Sequence, residues 1–240
     1  MWLSPPFLES PAATESGLMM KSEHLARNNV ILLVCLLSLI VFYPFSQADK
    51  SLVRDLLLSA VFFAGIFSLE FSARSRMLLL PLAILTAGTT WIRHFIKNDL
   101  LYLIDFGTSS ITLAVIVVLM IRHIARSRVV TPTIILSSVN GYLLLGVLGA
   151  VLLSIADATH IFLNGPGSAG IALPNQGSPE FSDYLYLAFI TLTTVGYGDV
   201  TAVSHLTRSV AILIGLAGQL YMTILVAMLV GKFSAGHDER

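Results

Sequence analysis

Long apolar runs, each separated from the next by a few polar residues, dominate the pattern of the chain. A helix needs about 20 residues to cross the ~30 Å of hydrocarbon in a bilayer. Six runs approach or exceed that length, and they predict six transmembrane helices at Val30–Phe45, Leu52–Phe71, Met77–Ile96, Leu100–Ile121, Ile134–Ile155 and Ser209–Val230. Short polar turns such as "SQADK" and "SARSR" join neighbouring runs.

A longer segment, Ala156 to Asp199, separates the fifth run from the sixth. Its first part, "DATHIFLNGPGSAGIALPNQGSPE", is rich in Gly, Pro, Asn and Ser and predicts a surface loop. The following "FSDYLYLAFITLTT" is apolar but too short to span, as is typical of a re-entrant helix. Ser182 and Asp183 are predicted to supply its N-cap and first-turn chemistry. The chain then turns at once into "VGYGD".

Composition agrees with a membrane location and excludes several classes of function. The chain is 55% hydrophobic and 12% charged, which is typical of an integral membrane protein and not of a soluble domain. Its formal net charge of +0 gives no reason to predict a nucleic-acid partner. The single Cys35 leaves no internal disulfide and no cysteine metal site. Without paired acids, His clusters or a Ser–His arrangement, the sequence does not predict an enzyme or an organic cofactor.

The basic residues predict the orientation, because Lys and Arg are retained on the cytoplasmic side of a membrane. No Lys or Arg occurs from Asp157 to Thr207, so this segment is predicted to face outward. Both termini are predicted to be cytoplasmic, in a multi-pass protein of the plasma or inner membrane. The residues that fall together on the predicted cytoplasmic side are Lys21, Arg27, Arg74, Arg76, Arg122, Arg126, Arg128, Lys232 and Arg240.

Non-helical backbone at membrane depth is tolerated only inside protein or beside water and ions. Gly196 and Gly198 can adopt positive φ without a Cβ clash. Their alternation with Val195 and Tyr197 is predicted to turn successive carbonyl oxygens toward one side, where they would replace the water around a cation. One strand cannot enclose an ion, so several copies of the chain around a closed symmetry axis are predicted.

These residues carry a resemblance to a known family. "TLTTVGYGD" resembles the signature of the potassium channels, in which four "TVGYG" loops form the selectivity filter. The wider likeness, from Thr133 to about Lys232, is to the pore module of small bacterial ion channels. It implies an all-α, voltage-gated-channel-like architecture with a homotetrameric pore. The K⁺ sites would be formed by the carbonyls of Thr194, Val195, Gly196 and Tyr197 and by the Thr194 hydroxyl, with Gly198 completing the filter.

The resemblance also implies roles around the filter. Asp199 lies at the predicted outer mouth, where its charge would raise the local concentration of cations. Tyr186 occupies the place of an aromatic residue that braces the filter through this aspartate in many potassium channels. The chain departs from some bacterial relatives at Ile190, where they have a buried acid.

Positions on the sixth helix match the gate and the cavity of the family. Gly218 has the spacing of the gating-hinge glycine, although Gly215 at i−3 makes close helix packing an equal alternative. Gln219 and Met222 match positions that face the water-filled cavity, and so does Thr193 at the end of the re-entrant helix. An interhelical hydrogen bond is the alternative role of Gln219.

The fourth helix carries no basic residue before Arg122, whereas a voltage sensor needs charges inside the membrane. Steep voltage gating is therefore not predicted. Asp105 is predicted to pair with Arg93 or His94 as a tie between helices, with a proton sensor at His94 as the alternative. The cluster Arg122, Arg126 and Arg128 could meet anionic lipid headgroups on a membrane-surface linker, or simply set the topology.

The predicted organisation has four parts. They are a cytoplasmic tail (1–29), a four-helix sensor-like domain without gating charges (30–128), a pore domain (129–232) and a short cytoplasmic tail (233–240). The predicted function is passive, K⁺-selective conduction. The alternatives are a weakly selective cation channel and a non-channel transporter, in which "VGYG" would be a glycine-rich re-entrant turn.

Overall fold

The computed structural model describes residues 11–45, 50–69, 73–96, 99–127, 130–165, 167–175 and 177–238. Within them the chain is mostly helical, and α1 is extended by a π-helical turn (Ser38–Phe42) and a 3₁₀ turn (Tyr43–Phe45). Two short strands, β1 (Ile171–Ala172) and β2 (Thr201–Ala202), pair antiparallel. The helices are α1 (Pro11–Leu37), α2 (Lys50–Phe67), α3 (Ala73–Phe95), α4 (Asp99–Arg126), α5 (Pro132–Asn164), α6 (Phe181–Leu192) and α7 (His205–Asp238).

Every predicted membrane span overlaps a helix, and among the described residues four segments are long and apolar enough to cross a membrane. The region of α3 contains a shorter apolar stretch, and α2 has 18 residues. A helical membrane protein is thus supported, while six crossings stay a prediction. The four candidate spans are His24–Phe45, Ile104–Arg126, Pro132–Asn164 and His205–Met228.

Three boundaries differ from the prediction. The helix α5 continues to Asn164 through residues predicted as a loop, and it ends only where Gly165 adopts a φ of 95°. Glycine ends helices because it takes positive φ without a Cβ penalty. The helix α1 begins at Pro11, inside the predicted N-terminal tail, and α7 continues to Asp238, inside the predicted C-terminal tail. The predicted C-terminal ends of α5 and α7 were therefore too early in the sequence, and the predicted start of α1 was too late.

A buried ion cluster ties α2, α3 and α4 together. Arg93 donates to both carboxylate oxygens of Asp55 at 3.0 Å, and its Nε lies 3.1 Å from Asp105. The Thr90 hydroxyl also donates to Asp105, at 2.6 Å. Buried charges need such partners, because leaving one unpaired is strongly destabilising. The predicted pair of Arg93 with Asp105 is confirmed, whereas the side chain of His94 lies outside the described part of the chain.

A buried amide cluster joins the first helix to α5 of the same chain. Asn140 donates to the backbone carbonyl of Asn29 at 2.9 Å, and the Ser137 hydroxyl donates to the Asn29 side chain at 3.1 Å. Asn29 in turn donates to the carbonyl of Ser68, just after α2, at 3.1 Å. The helix α4 also packs on α5. The helices α1 and α4 are therefore held against the α5 of their own chain.

The connection between α4 and α5 is short. Only residues 127–131 separate the two helices, and the described ones among them are not helical. Thr131 is the N-cap of α5, and its side chain accepts a hydrogen bond from the N–H of Ile134. This differs from a long linker lying along the membrane surface. Arg128 of the predicted linker lies outside the described residues.

Candidate functional site: the filter segment and its supports

The filter segment, defined here as Thr194 to Gly198, follows shortly after α6. The helix α6 has 12 residues and packs between α5 and α7. Its N-cap is Glu180, whose N–H donates to the Asp183 carboxylate at 2.8 Å. Ser182 is therefore not the cap, because the helix begins two residues earlier than a cap at Ser182 would place it, while the first-turn role of Asp183 is present. Leu192, at the other end of the helix, is fully buried.

The backbone of the filter segment has the conformation that its glycines allow. Gly196 has a φ of 52° and Gly198 a φ of 82°, and the other described residue with positive φ here is Thr194, at 60°. Val195 and Tyr197 therefore alternate with the two glycines in the sign of φ, as predicted. The N–H of Gly196 donates to the carbonyl of Ile190 at 3.1 Å, which fixes the segment to α6.

Thr194 has a positive φ, which is uncommon for a residue other than glycine. Its positive φ was not predicted, and its hydroxyl donates to the carbonyl of Thr193 at 2.7 Å. Its N–H donates to Thr191 at 3.1 Å. These two bonds compensate for a backbone conformation that costs a non-glycine residue roughly 1–2 kcal/mol. Ile190, where some relatives have an acid, is buried.

Tyr186 and Asp199 make the hydrogen bond that the sequence predicted, with the tyrosine hydroxyl donating at 2.7 Å. The bond lowers the pKa of the Asp199 carboxyl and raises the pKa of Tyr186 to about 12. Asp199 therefore stays ionised and Tyr186 stays a donor near neutral pH. This filter brace connects α6 to the residue that follows Gly198.

Replacing Tyr186 by phenylalanine is expected to speed the decay of current several-fold, because the far end of the filter segment loses its bond to α6. The measurement is the time course of ion current in reconstituted protein. Tyr186→Trp keeps an N–H donor and is expected to decay more slowly than Tyr186→Phe. A Tyr186→Phe protein with wild-type decay would contradict a bracing role.

The same bond has a defined pH dependence. Because the pKa of Asp199 is lowered by the Tyr186 hydroxyl, the carboxylate form persists down to pH values below the ordinary Asp pKa of about 3.9. The brace is lost only as the pH falls through that lowered pKa. Current decay is therefore expected to be insensitive to the pH on the filter side between about 7 and 5. Faster decay in this window that Asp199→Asn removes would show that the brace titrates higher.

A second support, missed from the sequence, is the buried carboxylate of Asp157 on α5. Asp157 is 1% exposed and accepts hydrogen bonds from the hydroxyl of Tyr184 on α6 and from the N–H of Gly170. The carbonyl of Gly170 accepts from Val203 at 2.8 Å and from the Thr207 hydroxyl at 2.6 Å. One carboxylate thus holds together the loop after α5, the helix α6 and the start of α7.

The sequence contains an indication of this support, although the segment that begins at Asp157 was predicted to be a surface loop. Asp157 follows an apolar run directly and has no Lys or Arg near it in the sequence, which is unusual for a residue meant to face water. A buried carboxylate without a cation has to be satisfied by hydrogen-bond donors. Tyrosines on the following re-entrant helix were the available donors.

Tyr184→Phe is expected to lower the free energy of unfolding by about 1–2 kcal/mol, because it removes one donor from a buried carboxylate. The midpoint of thermal unfolding in detergent measures this effect. Tyr186→Phe, two residues along the same helix and at an exposed hydrogen bond, is the matched control and is expected to shift the midpoint less. Equal midpoints for the two variants would contradict a structural role for the Asp157 support.

The helix α7 passes close to the end of α6 at Gly218. This glycine is buried, and an ideal Cβ built on it would overlap the carbonyl oxygen of Leu192. The Tyr142 hydroxyl of α5 donates to the same carbonyl at 3.3 Å. The close approach of Gly218 to Leu192 thus supports helix packing, one of the two predicted roles of this glycine. Whether the helix also bends there stays a prediction.

The residues predicted to face a cavity are exposed in the single chain. Thr193 and Gln219 are exposed, and Met222 is 42% exposed and lines an open groove with Thr223 and Val226. The Thr193 hydroxyl donates to Phe189 at 2.7 Å. These positions lie at and beyond the α6 end of the filter segment, and their contact with a permeating ion stays a prediction.

Comparison with known proteins gives one match. Residues 149–235 match a family model described as an ion channel, and this region contains the end of α5, α6, the filter segment and most of α7. No curated protein and no solved structure gives a significant match. An ion channel family favours a channel over an enzyme. Asp157, Tyr184, Tyr186 and the filter segment therefore lie in the region of this helical membrane protein that is similar to an ion channel family.

Proposed function

We propose that this chain is the subunit of a homotetrameric channel that conducts K⁺ passively and selectively. The observation that carries the proposal is the filter segment. Thr193 to Asp199 are all exposed in the single chain, and the two glycines have positive φ. At membrane depth, such a backbone needs ions, water or other protein to satisfy its carbonyl groups.

Rings of backbone carbonyls select K⁺ by replacing its hydration shell. The proposed ligands are the carbonyls of Thr194, Val195, Gly196 and Tyr197, with the Thr194 hydroxyl and Gly198 completing the filter. Asp199 adds negative charge at the mouth, where it raises the local concentration of cations. Conduction would follow from repulsion between ions in neighbouring sites.

Exposed apolar side chains support assembly of several chains. Val195 is 51% exposed and Tyr197 is 74% exposed, although both follow a helix whose own inner face is buried. A fourfold ring would cover these side chains with neighbouring subunits and point the carbonyls at the axis. Closed cyclic symmetry is the usual way for identical chains to form a central pore.

The proposed channel is not steeply voltage-gated. On α4 the first basic residue is Arg122, close to the end of the helix at Arg126. The acidic residue Asp105 on the same helix is paired with Arg93. Moving one charge through the membrane field supplies about 2.3 kcal/mol per 100 mV, so a helix whose basic residues lie only near its end gains little from voltage. Both termini are proposed to be cytoplasmic, in a plasma or inner membrane.

The test is planar-bilayer recording of the purified full-length protein with K⁺ on one side and Na⁺ on the other. A reversal potential close to that of a K⁺ electrode supports the proposal. A reversal potential near zero with robust current would indicate the weakly selective channel. Absence of current together with ion-coupled solute uptake in proteoliposomes would indicate a transporter.

A further inference from the structure

A cavity with both polar and apolar lining lies where α1, the end of α4 and the start of α5 meet. Its volume is ≈ 560 Å³, within the ~300–1,000 Å³ typical of small-molecule sites. No carboxylate is among its lining residues. The wall is formed mainly by Leu25 of α1, by His123, Arg126 and Ser127 at the end of α4, and by Thr131 and Thr133 at the start of α5.

The charge of this cavity is positive. Arg126 is exposed, and none of the ion pairs among the described residues involves it, since those pairs join Arg54 and Arg93 to acids within the helix bundle. Thr133 belongs to the first turn of α5, where the helix dipole is also positive. A guanidinium group binds phosphate oxygens through charge-assisted hydrogen bonds. The chemistry therefore fits a phosphate group.

The position of the cavity relative to the membrane indicates the source of that phosphate. Leu25 lies at the start of the candidate span His24–Phe45, and Arg126 is the last residue of the span Ile104–Arg126. Thr131 and Thr133 flank the first residue of the span Pro132–Asn164. Three spans thus begin or end at the cavity, which places it at the boundary between hydrocarbon and water, where phospholipid headgroups lie.

We propose that this cavity binds the phosphate headgroup of an anionic phospholipid, with Arg126 as the principal donor. Of the three arginines that the sequence offered for lipid contact, Arg126 lines the cavity, whereas the exposed Arg122 does not. A bound headgroup would contact both helices that flank residues 127–131. The lipid would thereby stabilise the short connection between the four-helix bundle and the pore domain, a role beyond ion selection.

The test measures lipid binding to the full-length protein in neutral detergent, with short-chain phosphatidylglycerol against phosphatidylcholine of the same chain length. Wild type is expected to bind phosphatidylglycerol more tightly. Arg126→Gln is expected to weaken that binding at least about tenfold, because hydrogen bonds to charged groups are the strong ones. Arg126→Lys keeps the charge and is expected to retain most of the affinity, which separates loss of charge from loss of fold.

Arg122→Gln is the matched control, since it removes the same charge from the same helix four residues away. It is expected to bind like wild type, and equal losses in the two variants would overturn a specific site in favour of general surface attraction. Competition with inorganic phosphate distinguishes a lipid headgroup from a soluble phosphate ligand. Competition by millimolar phosphate, with phosphatidylglycerol binding no better than phosphatidylcholine, would assign the cavity to a soluble ligand and overturn the lipid proposal. Because binding is read without ion flux, the outcome is independent of K⁺ selectivity.

Discussion

Replacing Gly196 by alanine is expected to lower strongly the preference of the proposed channel for K⁺ over Na⁺. The residue has a φ of 52°, a conformation that costs an L-residue roughly 1–2 kcal/mol. Apart from the neighbouring residues in the chain, no heavy atom of the described residues lies within 4 Å of an ideal Cβ at this position, so the expected effect arises from backbone conformation and not from a clash. Alanine is therefore expected to relax to negative φ and to turn a carbonyl away from the ion.

The measurement is the reversal potential with K⁺ and Na⁺ on opposite sides of a bilayer. Since 1.4 kcal/mol corresponds to a factor of ten, a strain of this size in every subunit is expected to lower the K⁺/Na⁺ permeability ratio at least about tenfold. Gly88→Ala is the control, because its Cβ also meets nothing within 4 Å but it lies inside α3, far along the chain from the filter. A wild-type reversal potential for Gly196→Ala would contradict the proposed filter.

The backbone conformation of the filter segment could be predicted from sequence because its determinants are local, and the bond between Tyr186 and Asp199 was implied by the resemblance. The positive φ of Gly196 and Gly198 follows from residue type, and the bond between Tyr186 and Asp199 joins residues separated by one short helix and one turn. The ion pair of Arg93 with Asp105 was also accessible, because few charges occur in these apolar runs. When only a few charged residues occur within membrane spans, their ion pairs can be predicted from the sequence.

The Asp157 support and the Asn29 cluster could not be predicted in the same way. Asp157 contacts Gly170 and Tyr184 across a loop whose path no pattern determines. Asn29 and Asn140 meet across 111 residues, and a polar residue near the end of an apolar run is equally typical of a helix end. Hydrogen bonds of this kind depend on which helices pack together. Their partners become visible only in the folded chain.

Both of these contacts involve α5, which is hydrogen-bonded to helices before and after it in the chain. Asn140 faces the bundle through Asn29, while the carbonyl of Ser138 accepts a bond from Tyr221 of α7 at 2.7 Å. The two residues lie within one turn of α5. The helix α5 is therefore hydrogen-bonded to α1 and to α7 within one turn, independently of the short connection at residues 127–131.

Gly218→Ala is expected to lower the thermal stability of the assembled channel and to suppress conduction. An added Cβ would overlap the carbonyl oxygen of Leu192 and lie 2.9 Å from its Cδ1, and the backbone atom cannot yield by rotating. The helix α7 must then move away from the end of α6, two residues before Thr194. Overpacking of this kind costs about 1–3 kcal/mol in each chain.

Gly215→Ala is the matched control for Gly218→Ala, one turn earlier on the same helix. Its Cβ would lie 3.8 Å from Thr191 Cγ2, an ordinary contact, and alanine favours a helix over glycine by up to about 1 kcal/mol. The control is therefore expected to unfold at the same temperature as wild type or higher. The readouts are the unfolding midpoint and the open probability in bilayers. If Gly218→Ala keeps the wild-type midpoint and changes only the open probability, the glycine acts as a hinge and the packing explanation is wrong.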